Sequence, residues 1–179
     1  MKIFDPETFV PSFLKAYLKC YFILSVSTSL SLPAIWDGGK LNREVFNGRR
    51  GGISIKSGNP IIFTGKRKIA EWYAYNRGNF RKPPIVTTVS LDLNKTADYQ
   101  DLMQAIKETG AGIEEAKSHS LREKPNIVDY LFVPEVRANL VDKDFDCFEG
   151  WDVLPTMEIM ITAVFDPAQI TVTDQQQLS

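Results

Sequence analysis

The spacing of hydrophobic and polar residues is most regular between residues 51 and 80. Two short apolar runs, 53–56 and 61–64, are bounded by glycine-containing turns, and this pattern is typical of two consecutive strands. After Gly65 the apolar residues recur at helical spacing, and three of them form one stripe: Ile69, Trp72 and Tyr73. We predict two strands that lead into an amphipathic helix, whose aromatic side chains form one wall of a cleft.

The rest of the chain predicts further helices and strands in an irregular order. The predicted helices are residues 7–19, 97–109 and 112–124, and the predicted strands are 21–26, 85–93, 127–133, 157–165 and 170–172. Two polar stretches, 40–50 and 142–152, are predicted as loops, the second with aromatic residues that pack down. Because regular strand-helix-strand alternation is missing, we predict an α+β fold.

A chain of 179 residues with this composition is long enough for one packed core and short for two. We therefore expect a single domain over residues 1–179. Within it, residues 1–20 form an N-terminal helical segment, residues 21–173 form the core, and residues 174–179 form a flexible tail.

The charges are unevenly distributed, although the formal net charge is only −1. Between Lys40 and Lys82 the sequence holds eleven basic residues and two acidic ones. Such an excess predicts a face that meets a polyanion or a phosphate-bearing ligand. The alternative is that the basic loops are neutralised by acidic loops of the same chain.

Several classes of protein are disfavoured by the residue counts. Two cysteines give no disulfide framework, and the single histidine, His119, gives no metal cluster. Acidic residues at positions 5 and 7 stand where a signal peptide carries positive charge, and no apolar run reaches the length of a membrane span. We expect a cytoplasmic protein without metal and without a membrane partner.

The order of the motifs resembles the ADP-ribosyltransferase superfamily, in particular its small bacterial and phage toxin-like members. The resemblance runs over residues 21–173 and rests on short motifs: a strand that ends in small hydroxyl residues, "IWDGGKL", a Gly-Gly strand, the helix "IAEWYA", and the late strand "EIMITAVFDPAQI". It implies a split β-sheet core with flanking helices. It also implies a mono-ADP-ribosyltransferase that moves ADP-ribose from NAD, its substrate, to a nucleic acid or a protein. A toxin or phage effector of this kind would have an antitoxin or inhibitor as partner.

The resemblance assigns roles to individual residues. Glu158 matches the glutamate that hydrogen-bonds the nicotinamide ribose, and Tyr73 matches the ring that stacks on nicotinamide. Cleavage of the glycosidic bond passes through a cationic state, so a carboxylate and an orienting ring on facing walls would suffice. The resemblance places further residues around NAD: Ser27 and Thr28 near the adenosine, Gly52 in the Gly-Gly strand, and Arg49 or Arg50 at the pyrophosphate.

Each assignment has a plainer alternative. Glu158 would otherwise be a solvated edge-strand glutamate, with Glu149 or Asp152 as the other candidate carboxylates, and Tyr73 would be a core aromatic residue. Residues 24–26 read Leu-Ser-Val where the family has a histidine-glycine pair or an arginine. The second hypothesis is therefore a catalytically inactive module that binds nucleic acid or a protein through its basic 40–82 face. An RNA phosphotransferase of the same fold is the third.

Overall fold

The computed structural model describes residues 41–53, 58–76, 79–119, 125–154 and 157–179. All of them belong to one compact unit, which runs from Ile35 to Ser179. The predicted elements over 7–19 and 21–26, together with Ser27 and Thr28, lie outside the described residues.

The described part is an α+β structure, which confirms the predicted class. Its strands are β1 (Leu41–Arg50), β2 (Ile61–Thr64), β3 (Pro84–Leu93), β4 (Thr96–Ala97), β5 (Cys147–Leu154), β6 (Met157–Val164) and β7 (Ile170–Gln177). Its α-helices are α1 (Arg67–Asn76), α2 (Tyr99–Thr109), α3 (Ile113–His119) and α4 (Pro134–Asp142), and two 3₁₀ helices span Ile127–Phe132 and Pro167–Gln169.

The strands form one sheet in the order β4-β5-β6-β2-β1-β3-β7, and only the β4–β5 pair is parallel. β4 stands at one edge and β3 next to the other, yet only Asn94 and Lys95 separate them along the chain. The sheet must therefore curl until its β4 edge lies beside the end of β3. We call this junction between the end of β3 and the start of β5, at Asn94, Lys95 and Asp146, the seam. The Asp146 carboxylate stabilises it by accepting hydrogen bonds from the backbone N–H groups of Asn94 and Lys95.

The concave inner face of the curled sheet carries a small apolar core. Its members come from β1, β2, β3, β5 and β6, and none is more than 7% exposed: Val45, Ile61, Phe63, Val89, Leu91, Leu93, Cys147 and Val164. Burial raises the pKa of the Cys147 thiol to about 11, although Thr96 contacts its sulfur at 3.4 Å. This thiol stays protonated at neutral pH.

The outer face of the sheet is covered by the helices. α1 packs directly on β1, because a Cβ atom at Gly48 would lie 1.6 Å from the carbonyl oxygen of Ala70. α2, α4 and the first 3₁₀ helix form a larger core with β5 and β6, in which Phe148, Ile159 and Ile161 are buried. The outer face therefore holds most of the hydrophobic contacts.

The strongest helix signals in the sequence are confirmed, with small shifts. α2 runs from Tyr99 to Thr109, is capped by Asp98, whose side chain accepts from two backbone N–H groups, and ends at Gly110 in a left-handed conformation. The predicted helix 97–109 is correct within two residues.

Four local predictions are wrong. The stretch 40–50 is not a loop, because residues 41–50 form β1 and pair along their whole length with β3. The stretch 142–152 ends a helix and then begins β5, and residues 127–133 form a 3₁₀ helix instead of a strand. The tail 174–179 is ordered through Gln177, because β7 hydrogen-bonds to β3. The three strands among them, β1, β5 and β7, gain their hydrogen bonds from residues distant in sequence, whereas the 3₁₀ helix is capped locally by Asn126.

Candidate functional site

β1 and β2 separate soon after they meet, and a pocket opens between them. In the described part of the two strands, Phe46 and Thr64 are the only residues in register, and beyond them the Asn47 side chain donates to the Ile62 carbonyl at 2.9 Å. The pocket has a volume of about 310 Å³. It is lined by Asn47, Arg49, Ile53, Asn59, Pro60, Ile61, Ile62 and Phe132. The sheet is thus nearly divided at this point without being split in two.

Among the described residues, Arg49 is the only charged side chain that lines this pocket. It is exposed and makes no hydrogen bond or ion pair within the described part of the chain. The Oδ1 atom of Asn47 is buried without a hydrogen-bond partner among the described residues. A pocket of mixed polarity with a cation in its lining is a place where a small anion could bind, and the role of Arg49 in holding a phosphate stays a prediction.

Arg50 follows Arg49 in β1, so its side chain points to the opposite face of the strand. Its guanidinium donates to the Lys82 carbonyl at 3.1 Å and to the Tyr75 carbonyl at 3.2 Å. The same group lies 4.7 Å from the centroid of the Phe80 ring. Arg50 therefore ties together the end of β1, the end of α1 and the turn at 79–82.

This corner of the molecule forms a cationic-aromatic patch, consisting of Arg50, Tyr75, Phe80, Arg81 and Lys82. Phe80 is 69% exposed and Tyr75 is 42% exposed. The sequence holds no aspartate or glutamate in 45–53 or in 72–84, the two stretches that build the patch. The Tyr75 hydroxyl donates to the main-chain oxygen of Ser179 at 2.8 Å. An exposed aromatic ring among cations, without an acidic side chain in these two stretches, is unusual for a purely solvated turn.

Backbone geometry at the end of β1 holds the patch in place. Gly51 and Gly52 have positive φ angles of 82° and 80°, and Gly51 donates to the Pro83 carbonyl at 2.9 Å. A Cβ atom at Gly51 would lie 2.5 Å from Cδ of Lys82. Gly52 is buried beside Ile85 and Gln175 and does not line the pocket. The predicted Gly-Gly motif is therefore a tight turn beside the patch.

The basic residues of 40–82 do not share one face. Arg67 is paired with Glu71 at 3.1 Å on α1. Arg43 lies on the inner face of the sheet, where its guanidinium contacts Glu149 and Thr162, and Thr162 donates to Glu149 at 3.0 Å. Burial lowers the pKa of Arg43. These two arginines are used within the protein, so the prediction of a single basic face is too broad.

Tyr73 is half-buried on α1 and packs against the outer-face core. Its ring meets that of Trp72 edge to face, with centroids 5.3 Å apart. Ile159 and Ile161 of β6 belong to the same core. Tyr73 therefore stands on the side of β6 to which the odd-numbered residues point.

Glu158 is exposed and precedes Ile159, so strand alternation directs its side chain to the opposite face of β6. Trp151 and Met160 are in register on β5 and β6, and they are 38% and 44% exposed on this same face. Tyr73 and Glu158 thus do not form facing walls, contrary to expectation. Glu158 also stands six residues from Val164, which pairs with Ile61 at the pocket, a separation of roughly 20 Å along the strand.

Neither the ion pair of Arg43 with Glu149 nor the burial of Asp152 was predicted from the sequence. Asp152 points to the outer face, where it accepts a hydrogen bond from the Asn126 side chain at 2.9 Å. The position of Arg43 two residues before the apolar Val45 could have indicated that Arg43 lies on the inner face. Once the segment is recognised as a strand, both side chains must share the inner face.

Among the described residues, no group of three or more histidine, cysteine, aspartate or glutamate side chains is arranged to hold a metal ion. No helix within the described ranges is long and apolar enough to cross a membrane.

Comparison with known proteins does not identify a family for this chain. No protein-family model matches the sequence, and no curated protein matches it. The chain is similar to a solved structure described as "Crystal structure of an anti-CRISPR protein", with a TM-score of 0.44 and 14% identity, covering 77% of this chain and 98% of that chain. A likeness of this size carries neither a fold nor an activity over to this chain.

Proposed function

We propose that the protein binds single-stranded nucleic acid through the cationic-aromatic patch. The observation that carries this proposal is the exposed Phe80 ring, which is stacked against Arg50 and flanked by Arg81 and Lys82. Proteins that bind single strands combine cations for the phosphates with aromatic rings for the bases. The patch offers both within one corner, and the nearby stretches hold no acidic residue to compete for the cations.

The patch suits a single strand better than a duplex. A ring that stands out from the surface can stack on an unpaired base, whereas the bases of a duplex are stacked on one another. Arg50 is fixed by two backbone carbonyls, so it holds the Phe80 ring in place before any ligand arrives. A preorganised ring costs less entropy on binding than a free one.

The test measures binding of a fluorescent oligouridine by anisotropy, as a function of salt concentration. Phe80→Ala should weaken binding by the stacking contribution of one base, about 1 to 3 kcal/mol. Replacing Arg81 and Lys82 by glutamine should make the slope of log K against log salt shallower by about 1.4, since each contact on a single strand contributes about 0.7.

A matched control removes two positive charges elsewhere. Lys107 and Lys117 are exposed on α2 and α3, so Lys107→Gln with Lys117→Gln changes the net charge equally and leaves the patch intact. Binding that falls equally in both double variants would mean that only net charge matters. Unchanged binding in Phe80→Ala and in the Arg81/Lys82 variant would overturn the proposal, and preference for an acidic polypeptide over oligouridine would indicate a protein partner instead.

A second function, transfer of ADP-ribose from NAD, has a separate observation in its favour. Glu158 shares its face of the sheet with the exposed Trp151 and with the Glu149 and Arg43 pair. A carboxylate and an orienting ring are the groups that cleavage of the nicotinamide bond requires. The ring that orients the nicotinamide would then be Trp151, instead of Tyr73 as the sequence predicted.

The experiment for the second function is incubation with labelled NAD and a cell extract. Separate digestion of the labelled product with nuclease and with protease identifies the acceptor as nucleic acid or protein. Absence of any labelled macromolecule, together with absence of NAD binding by calorimetry, would remove the transferase from consideration and leave the binding function as it stands.

A further inference from the structure

β7 is the outermost strand at one edge of the sheet and is exposed along almost its whole length. It has eight residues, Ile170–Gln177, and all except Ile170 are exposed. Within the described part of the chain it pairs only with β3. One row of its backbone N–H and C=O groups therefore has no partner strand among the described residues.

Hydrogen bonding to β3 shows which backbone groups face outward. Leu178 donates to the Pro84 carbonyl at 2.9 Å, so the residues that bond to β3 alternate back from this point. Gln177 and Gln175 consequently direct their N–H and C=O groups away from β3. A bulge between Thr88 and Val89 inserts one extra residue in β7, and before it the outward residues are Val172 and Ile170.

β7 lacks most of the features that usually protect a strand edge. Protected edges are short, or they carry lysine or proline. The sequence of β7, ITVTDQQQ, contains neither, and Asp174 is its only charged residue. Asp174 and the bulge both fall at the centre of the strand, so its two ends remain open for pairing.

We infer that β7 pairs antiparallel with β7 of a second copy of this chain. In one register, Val172 lies opposite Gln175 of the second copy and Ile170 lies opposite Gln177, and the two-fold axis repeats both pairs. Each such pair exchanges two hydrogen bonds, so the register satisfies the outward groups with about eight bonds. A self-complementary edge of this kind generates a closed dimer.

The same register keeps the two Asp174 carboxylates from facing each other directly. Each Asp174 lies opposite Thr173 of the second copy, whereas a register shifted by one residue would oppose the two aspartates. Like charges directly opposite one another destabilise strand pairs. The position of the single charge therefore favours one register, and the interface is a small one of the kind that gives a weak dimer.

Charge replacement across the interface tests this register. The parent should show a concentration-dependent rise in mass to that of a dimer in sedimentation equilibrium. Val172→Lys with Gln175→Lys places lysines directly opposite each other and should abolish the dimer. Val172→Lys with Gln175→Glu places opposite charges in the same positions and should restore it. Both positions are exposed, so both variants should keep the thermal unfolding transition of the parent.

A second pair of variants tests the backbone. Gln175→Pro removes an outward N–H that the ladder with β3 does not use, whereas Gln175→Ala keeps this N–H and removes the side chain. The proline variant should be monomeric and the alanine variant dimeric. A parent that stays monomeric at all concentrations, or equal dimerisation in the two lysine-containing variants, would overturn the inference. Loss of the dimer in Gln175→Ala would assign the contact to side chains and also contradict it.

Discussion

Tyr73 and Glu158 lie on opposite faces of the same sheet. Tyr73 belongs to α1, and its ring packs against the outer-face core. Glu158 precedes Ile159 in β6, so its side chain points to the inner face of the sheet. A nicotinamide ring stacked on Tyr73 would be separated from Glu158 by the sheet itself. On the face of Glu158 the aromatic residue nearest in register is Trp151, which is a diagonal neighbour at about 7 Å between Cβ atoms.

The close approach of α1 to β1 predicts a large effect at Gly48. Gly48→Ala would bring a Cβ atom to 1.6 Å from the Ala70 carbonyl oxygen, and this oxygen cannot move without displacing α1. We expect a loss of stability of about 1 to 3 kcal/mol or more. Gly65→Ala is the matched control, because no atom lies within 4 Å of the added Cβ, and its effect should stay within about 0.5 kcal/mol. Urea unfolding of both variants measures the difference, and equal midpoints would show that α1 does not contact β1.

The seam at Asp146 predicts a dependence of stability on pH. Burial opposes ionisation of this carboxylate, but hydrogen bonds from the backbone of Asn94 and Lys95 outweigh burial and lower its pKa. Because the pKa is lower in the folded state, the stabilisation is complete above the unfolded value of about 3.9 and is lost as pH falls through the folded value. Asp146→Asn should remove this component, whereas Asp142→Asn, at an exposed position, should not. Identical stability profiles of the parent and Asp146→Asn between neutral and acid pH would contradict the role of the seam.

The raised pKa of Cys147 predicts an unreactive thiol. At a pKa of about 11 almost no thiolate is present at neutral pH, and the sulfur is buried in the inner-face core. In a Cys20→Ser background, iodoacetamide should leave the folded protein unmodified and should alkylate Cys147 once the protein is unfolded in urea. Rapid alkylation of the folded protein, followed by mass spectrometry, would show that the inner face opens readily.

The elements that the sequence predicted well are those whose signals are local. The helical stripe near residue 72 and the β-branched run of β3 each carry their own periodicity, and both elements are present within a few residues of the predicted bounds. α2 was predicted equally well because Gly110 stops it. These signals need no knowledge of the rest of the chain.

β1 could not be predicted in this way because its polar residues are satisfied by distant partners. Arg43 contacts Glu149, which is 106 residues away, so a charged inner-face position looked like part of a loop. The same error hid the separation of Arg49 and Arg50. Adjacent in sequence, they were interchangeable candidates for the pyrophosphate, but as neighbours in a strand they point to opposite faces, one to the pocket and one to the patch.

If the protein transfers ADP-ribose, NAD binds either beside Trp151 on the inner face of the sheet or beside Tyr73 on the outer face. If Glu158 acts with Trp151, then Glu158→Gln should lower transfer by about 10² to 10³, because glutamine keeps the shape of the side chain but loses the charge that stabilises a cationic transition state. Stability should change by no more than about 0.5 kcal/mol, because Glu158 is exposed.

Alanine variants of the two candidate rings then identify the side of the sheet on which NAD binds. Trp151→Ala should weaken NAD binding in calorimetry with little loss of stability, because the ring is partly exposed. Tyr73→Ala should destabilise the protein by about 1 to 3 kcal/mol, because its ring packs in the outer-face core, and should leave NAD affinity unchanged once folded protein is compared. The reverse result, with NAD binding lost in Tyr73→Ala and kept in Trp151→Ala, would move the site to the outer face. Glu158 could then no longer be the catalytic carboxylate, because it does not reach that side.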